Sequence, residues 1–165
     1  MKPTQLIVSA LASLLLLNCS SIDQAGGRTT SQSPLIGAWL IAETACTTSA
    51  GVVVNRNPQT GLYVFTELHF SLMLIPGSEN RPFFSEERTD EERLAAYDNF
   101  IADAGTYEVR GNVLTANNII AKVPNVMDYP LEYQFSLEGD ELALTFDGGW
   151  APPCDELTYK LRRLE

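Results

Sequence analysis

The sequence is poor in the residues that most often carry chemistry. It has one histidine (His69) and three cysteines in 165 residues. One histidine cannot supply a multi-histidine metal site, and no Gly-x-Ser-x-Gly motif accompanies it to indicate a serine hydrolase. A glycine-rich phosphate-binding loop is also lacking. We therefore predict no metal, no cofactor and no catalytic residue, and we leave open whether the protein is an enzyme.

Positive charge is also scarce, with 11 Lys and Arg against 21 Asp and Glu and a net charge of −10. An acidic surface repels phosphate backbones and anionic lipid headgroups. We therefore expect no nucleic-acid partner, and any membrane attachment would have to be hydrophobic or covalent. The hydrophobic share of 45% is enough for a real core, and the length suits a single domain.

No apolar run is long enough to span a bilayer as a helix. The longest, "LIVSALASLLLL" (6–17), has twelve residues and follows Lys2, which is typical of a signal peptide. Cys19 comes directly after Leu-Leu-Asn, and this ending resembles a bacterial lipoprotein signal, although Asn18 replaces the usual small residue.

We interpret residues 1–19 as a lipoprotein-type signal peptide with Cys19 as the lipid-attachment residue. Residues 20–34 are rich in Ser, Thr, Gly and Gln and indicate a flexible tether. This predicts an outer-membrane lipoprotein facing the periplasm, since Ser20 favours outer-membrane sorting in a Gram-negative cell. The alternative is ordinary cleavage, which would give a soluble periplasmic or secreted protein.

Residues 35–165 contain short runs of strand-forming residues separated by turn formers. The runs are "LIGAWLIAETAC", "GLYVF", "LHFSLMLI", "TYEVRG", "NVLTANNIIAK", "LEYQFSLEG", "ELALTFDG" and "DELTYKLRRL", with "GVVVN" as a short hairpin extension. About eight antiparallel strands predict an all-β fold, either a sandwich or a closed up-and-down β-barrel, and we favour the barrel.

One helix is predicted after the third strand, over "TDEERLAAYDNFIADAG" (89–105). Thr89 is its N-cap, and Glu92 stands three residues later, which is the spacing of a capping box. Gly105 is expected to end the helix.

Barrel closure predicts a disulfide. The last strand of a closed eight-stranded barrel pairs antiparallel with the first, and a register that sets Cys46 opposite Cys154 also sets Trp39 opposite Leu161. That register places the large apolar residues of both strands on one face. Directly paired positions are about 4.5–5.5 Å apart, within disulfide reach. The alternative is a pair of free thiols.

Five stretches resemble the bacterial lipocalin-like domain family: "LIGAWLIAE", "NPQTGLYVFTELHFSLMLI", "RPFF", "YDNFIADAGTYEV" and "LEYQFSLEGDELALT". They run from Leu35 to about Thr145. The resemblance implies that 35–165 is a calycin-type barrel with a closed apolar interior. It also implies that the Gly-x-Trp motif ending at Trp39 is covered by a basic residue late in the last strand, for which Arg163 has the right parity.

The favoured function is binding of a small hydrophobic or amphipathic ligand inside the barrel of a cell-envelope protein. The candidate ligand-binding residues, chosen by strand parity, are Trp39, Ile41, Phe70, Leu72, Tyr107 and Tyr133. One alternative is a small-molecule cyclase or isomerase in which Glu43, His69 or a tyrosine moves a proton. The other is a structural or interaction lipoprotein whose barrel is filled.

Overall fold

The computed structural model describes residues 33–77, 81 and 83–165. The proposed signal peptide, Cys19 and all but the last two residues of the proposed tether lie outside the described residues. The strands are β1 (Gly37–Thr48), β2 (Gly51–Asn55), β3 (Gly61–Phe65), β4 (His69–Leu74), β5 (Ile101–Arg110), β6 (Val113–Ala121), β7 (Leu131–Glu138), β8 (Glu141–Asp147) and β9 (Glu156–Arg163). The helix α1 is Asp90–Asp98, and short 3-10 helices cover Pro124–Met127 and Gly148–Trp150.

The strands form a closed antiparallel barrel. From β3 onwards each strand pairs with the next along the chain, and both β3 and β9 pair with β1. The strand β2 pairs only with the second half of β1, from Thr44 to Thr48, so it extends a hairpin and is not one of the strands that close the barrel. Eight strands therefore close the barrel, and α1 follows the third of them, as the sequence predicted.

The predicted helix is too long. The capping box is present, since Thr89 Oγ1 accepts from the Glu92 backbone N–H and the Glu92 carboxylate accepts from the Thr89 backbone N–H. The helix nevertheless ends at Asp98, and Ile101–Gly105 pair with β4 instead. Strand pairing overrides the helical spacing of these residues, because an unpaired edge of β4 would leave the barrel open. Within the described ranges, no helix is long and apolar enough to cross a membrane.

Gly105 does not stop a helix, because it lies within β5. The pairing of β5 with β6 shifts register between Ala104 and Gly105. A Cβ atom on Gly105 would overlap the backbone carbonyl of Asn117, which crosses directly above it. The absence of a side chain therefore serves the close approach of two strands.

The predicted disulfide is confirmed, but the predicted register is wrong. Cys46 and Cys154 are bonded, with Cα atoms 5.3 Å apart. Cys154 lies in the turn before β9, so Leu157 is the residue opposite Cys46. Trp39 consequently lies opposite Arg163 and not opposite Leu161. The register also shifts between Ile41 and Glu43, which a uniform pairing rule could not include.

One end of the barrel is sealed around Trp39. Its indole is fully buried and donates from Nε1 to the Leu35 carbonyl at 2.8 Å. The Arg163 guanidinium lies 4.0 Å from the ring centroid, as predicted, and donates to the carbonyls of Ile36 (2.6 Å) and Pro34 (2.9 Å). These contacts fasten the segment before β1 across the end of the barrel.

Replacing Arg163 with methionine keeps the aliphatic stem and removes the guanidinium. We expect the free energy of unfolding to fall by about 2–4 kcal/mol, because two charged hydrogen bonds and one cation–π contact are lost. Urea denaturation measures the change. The control is Arg162→Met at the exposed neighbouring position, which should cost less than about 0.5 kcal/mol. Equal losses in both variants would contradict this role of Arg163.

Candidate functional site

A cavity of about 710 Å³ lies inside the barrel, at the end opposite Trp39. Antiparallel pairing brings the ends of β4 and β8 and the starts of β5, β7 and β9 to this end, and residues of all five line the cavity. Aliphatic side chains form much of the wall: Leu72, Leu74, Ile101, Val126, Leu131 and Leu157.

The 3-10 helix Pro124–Met127 borders the cavity through Val126. The buried Asn118 side chain on β6 donates from Nδ2 to the Val126 carbonyl at 3.2 Å and holds this short helix against the barrel. The position of Val126 in the cavity wall therefore depends on the hydrogen bond from the Asn118 side chain.

Four aromatic rings line one side of the cavity and contact one another in series. The Tyr63 and Tyr159 centroids are 6.3 Å apart, those of Tyr159 and Phe146 are 5.3 Å apart, and those of Phe146 and Tyr133 are 5.2 Å apart. All three contacts are edge-to-face, which is a favourable arrangement for aromatic pairs. The rings therefore hold one another in position and form a rigid wall.

The hydroxyls of Tyr63, Tyr133 and Tyr159 are unusual because, within the described part of the chain, none has a hydrogen-bond partner. Only 2% of Tyr63 and 7% of Tyr133 is exposed. Burial raises the pKa of Tyr63 well above its usual value, raises the pKa of Tyr133 as well, and raises the pKa of Tyr159 to about 12. The three phenols are therefore neutral at physiological pH and can each donate or accept one bond from a bound molecule.

Asp103 is the carboxyl group on the inner side of the wall. It is on β5 directly opposite Leu72, whose side chain points into the barrel, and paired residues share a face. Partial burial raises the pKa of Asp103, while the backbone N–H and positive charge of Lys122 partly offset this effect. The carboxyl group thus lies in a partly desolvated environment beside the three phenols.

Lys122 lines the mouth, but its ammonium is directed toward α1. The Nζ atom lies 4.3 Å from the centroid of the Tyr97 ring and 3.5 Å from the Asp98 carbonyl, and the Tyr97 hydroxyl donates to the Lys122 carbonyl at 2.9 Å. These contacts attach the C-terminal end of α1 to the rim of the cavity.

The structure separates the six residues proposed from strand parity into two groups. Leu72 and Tyr133 line the cavity. The other four, namely Trp39, Ile41, Phe70 and Tyr107, are buried in the core and do not form its wall. Tyr107, for example, donates its hydroxyl to the Thr66 carbonyl at 2.7 Å. Parity identifies the inward face of a strand, whereas the level along the barrel axis decides between core and cavity.

Sequence reasoning missed Asp103 because it assigned this residue to the helix. Correct assignment of β5 would have placed it two residues after Ile101 on the same inward face. Tyr159 has the parity of Leu161 and could have been included on that basis. Tyr63 and Phe146 carried the same period-two signal, but nothing in the pattern placed them near the open end.

Of the candidates for proton transfer, Glu43 and His69 do not line the cavity, whereas three tyrosines do. The register shift at Ala42 turns Glu43 to the outer face, where its carboxylate lies 2.6 Å from Lys160 Nζ and 3.4 Å from Arg56 Nε. The hydrogen bond from Lys160 lowers the Glu43 pKa. His69 is exposed at the start of β4. Across 33–77, 81 and 83–165, no three His, Cys, Asp or Glu side chains group to hold a metal ion.

Residues 36–150, from β1 to the end of the 3-10 helix after β8, match the sequence model of a family described as the lipocalin-like domain. No curated protein matches the chain significantly. Among solved structures, the chain is similar to a lipocalin-like protein from Bacteroides uniformis ATCC 8492, with 12% identity, a TM-score of 0.45 and coverage of 78% of this chain and 97% of that one. It is also similar to an uncharacterized protein from Bacteroides eggerthii DSM 20697, with 10% identity, a TM-score of 0.43 and coverage of 78% and 98%.

The raised pKa of Asp103 predicts how its replacement changes stability with pH. A carboxyl group whose pKa is higher in the folded state destabilises that state as the pH rises from its unfolded to its folded pKa. Asp103→Asn should therefore be more stable than the unchanged protein at about pH 7, and the difference should vanish at about pH 3, where the carboxyl is neutral in both states.

Thermal or urea unfolding across this pH range measures the difference. The control Asp128→Asn removes an exposed carboxyl outside the cavity and corrects for the general loss of negative charge. A stability difference for Asp103→Asn that grows toward low pH would contradict the assignment.

Proposed function

The chain belongs to the lipocalin-like domain family, and we propose that its barrel binds one small apolar or amphipathic molecule in the cavity. The observation that carries this proposal is a cavity of about 710 Å³ with a largely aliphatic and aromatic wall. Ligand sites are commonly concave and apolar, with volumes of about 300–1,000 Å³ and a few polar groups that set orientation. The three free phenols and Asp103 supply such groups.

Affinity would come mainly from the apolar wall. Burial of one methylene group contributes about 0.8 kcal/mol. The lost translational freedom of the ligand and the ordering of side chains at the site oppose this gain. The rigid aromatic side of the cavity lowers the second cost, because its rings hold their positions without a ligand. We therefore expect binding to strengthen with the apolar area of the ligand until the cavity is filled.

A second candidate function is a small-molecule isomerase or cyclase in the same cavity, and Asp103 is the observation that favours it. A partly buried carboxyl group with a raised pKa is suited to take up a proton. The raised pKa of Tyr63 makes its phenol a weak acid, so this hydroxyl would stabilise developing negative charge as a hydrogen-bond donor. The third possibility, a filled barrel that acts only through its surface, is disfavoured by the size of the cavity.

We further propose that Cys19 anchors the domain to the outer membrane by a lipid group, with residues 20–34 as the tether. The sequence has three cysteines, and Cys46 is bonded to Cys154, so Cys19 is the one left for acylation. The disulfide is consistent with an oxidising, extracytoplasmic compartment. The apolar run before Cys19 supports export.

Narrowing the cavity should weaken ligand binding. Leu131→Trp places an indole in the wall, and we expect it to weaken binding of the neutral fluorescent probe N-phenyl-1-naphthylamine by about tenfold or more, because the probe loses apolar contact area. Fluorescence titration measures the affinity. The control Val64→Trp places the same ring on the exposed outer face and should leave the affinity unchanged. Failure of the unchanged protein to bind any apolar probe would refute the proposal.

Acylation of Cys19 can be tested by intact mass spectrometry of the full-length protein extracted from a Gram-negative envelope in detergent. We expect a mature chain that begins at Cys19 and carries the mass of a lipid modification. The matched variant Cys19→Ser should lack that mass and leave the membrane fraction. A native chain that begins downstream of residue 19 and carries no acyl group would rule out the anchor.

A further inference from the structure

Among the described residues that line the cavity, negative charges outnumber positive ones. Three carboxyl groups line the cavity: Asp103 on the inner wall, with Glu132 and Asp147 at exposed positions. Asp147 accepts a hydrogen bond from the Gly149 backbone N–H at 2.7 Å. Lys122 is the cation among the lining residues that the structure describes, and its ammonium contacts Tyr97 and the end of α1. Within the described residues Asp103 forms no ion pair, and the charge of Lys122 offsets the burial of its carboxyl group only in part.

The aromatic side of the cavity also favours a positively charged ligand. An aromatic ring presents a negative face, and a cation over that face is attracted by about 0.5–2 kcal/mol, more where water is excluded. Tyr63 and Tyr133 are more than nine-tenths buried, and their hydroxyls are unpaired within the described chain. Each hydroxyl oxygen offers lone pairs to a positively charged donor. Four rings and one carboxyl group thus border the same space.

Resting on the proposed function, we propose that the ligand is a cationic amphiphile, with an amine or quaternary ammonium group between Asp103 and the tyrosine rings and an apolar body against the aliphatic wall. A cation at that position loses its bound water and gains contacts with the Asp103 carboxylate and the aromatic rings. A fatty-acid carboxylate would instead lose its hydration beside another carboxyl group, while the one lining cation of the described chain, Lys122, is directed toward α1. The wall therefore discriminates by charge as well as by apolar area.

Three probes built on twelve-carbon chains separate charge from chain burial: dodecyltrimethylammonium and dodecanoate, each below its critical micelle concentration, and dodecan-1-ol below its solubility limit. Calorimetric titration of the folded protein gives the three affinities. We expect the ammonium to bind about tenfold or more tightly than the alcohol and the carboxylate to bind most weakly. The ratio should persist in high salt, since charges in a partly buried site are screened less than surface charges.

Asp103→Asn should reduce the preference for the ammonium over the alcohol to about threefold or less, because the amide removes the negative charge beside the bound cation. The matched variant Asp128→Asn loses the same charge at an exposed position outside the cavity and should keep the full preference. Tyr159→Leu is a second variant, which keeps apolar volume but removes a ring, and it should weaken the ammonium more than the alcohol. Circular dichroism confirms that each variant is folded.

The outcomes separate the two proposals. Equal affinity for the ammonium and the alcohol, or tighter binding of dodecanoate, would overturn the inference about charge and leave ligand binding intact. A preference that Asp103→Asn and Tyr159→Leu both leave unchanged would also overturn it. Failure of all three probes to bind would overturn the proposed function together with the inference.

Discussion

Antiparallel pairing of β1 with β9 closes the barrel, and both its sealed end and its cavity depend on that pairing. The pairing sets Trp39 opposite Arg163, so the guanidinium lies over the indole and reaches the carbonyls of the segment before β1. At the other end of the same strands it brings Cys46 close to the turn that contains Cys154. One ladder of hydrogen bonds is thus secured at both ends, by a cation–π contact and by a covalent bond.

The barrel interior is divided into a packed half and an open half. Around Trp39 the inward side chains are large and almost completely buried, and each such side chain contributes about 1.5–3 kcal/mol by leaving water. Toward the other end the inward residues line a cavity of about 710 Å³ and do not fill it. Burial in the packed half stabilises the fold, so the open half need not be filled. A stable core beside an open cavity is an arrangement that suits a binding protein.

Polar groups in the open half are costly unless something binds to them. Tyr63 and Tyr133 line the cavity without a hydrogen-bond partner for their hydroxyls among the described residues, and burial raises the pKa of the Tyr63 phenol and of the Asp103 carboxyl group. Tyr107 shows the alternative, since its hydroxyl is satisfied by the Thr66 carbonyl. The contrast between this paired tyrosine and the unpaired phenols of Tyr63 and Tyr133 distinguishes a structural residue from one that is available to a ligand.

The sequence alone determined the strands, the closed barrel, the capping box at Thr89, the cation–π pair and the disulfide partners. The strands and the capping box follow from local patterns, namely alternation with period two, turn residues and the spacing of Thr89 and Glu92. The disulfide partners follow from assumed closure of the barrel, and the calycin-type barrel and the covering of Trp39 were implied by the family resemblance. Two local rules failed where neighbouring strands overrode them. Ile101–Gly105 have helical spacing but pair with β4, and the register shift after Ile41 turns Glu43 outward. Only the tertiary structure decided which inward residues line the cavity and which fill the core, because parity carries no information on height along the barrel axis. It also decided the charge of the cavity, since Asp103 enters the wall through β5 while the Lys122 ammonium is directed to α1.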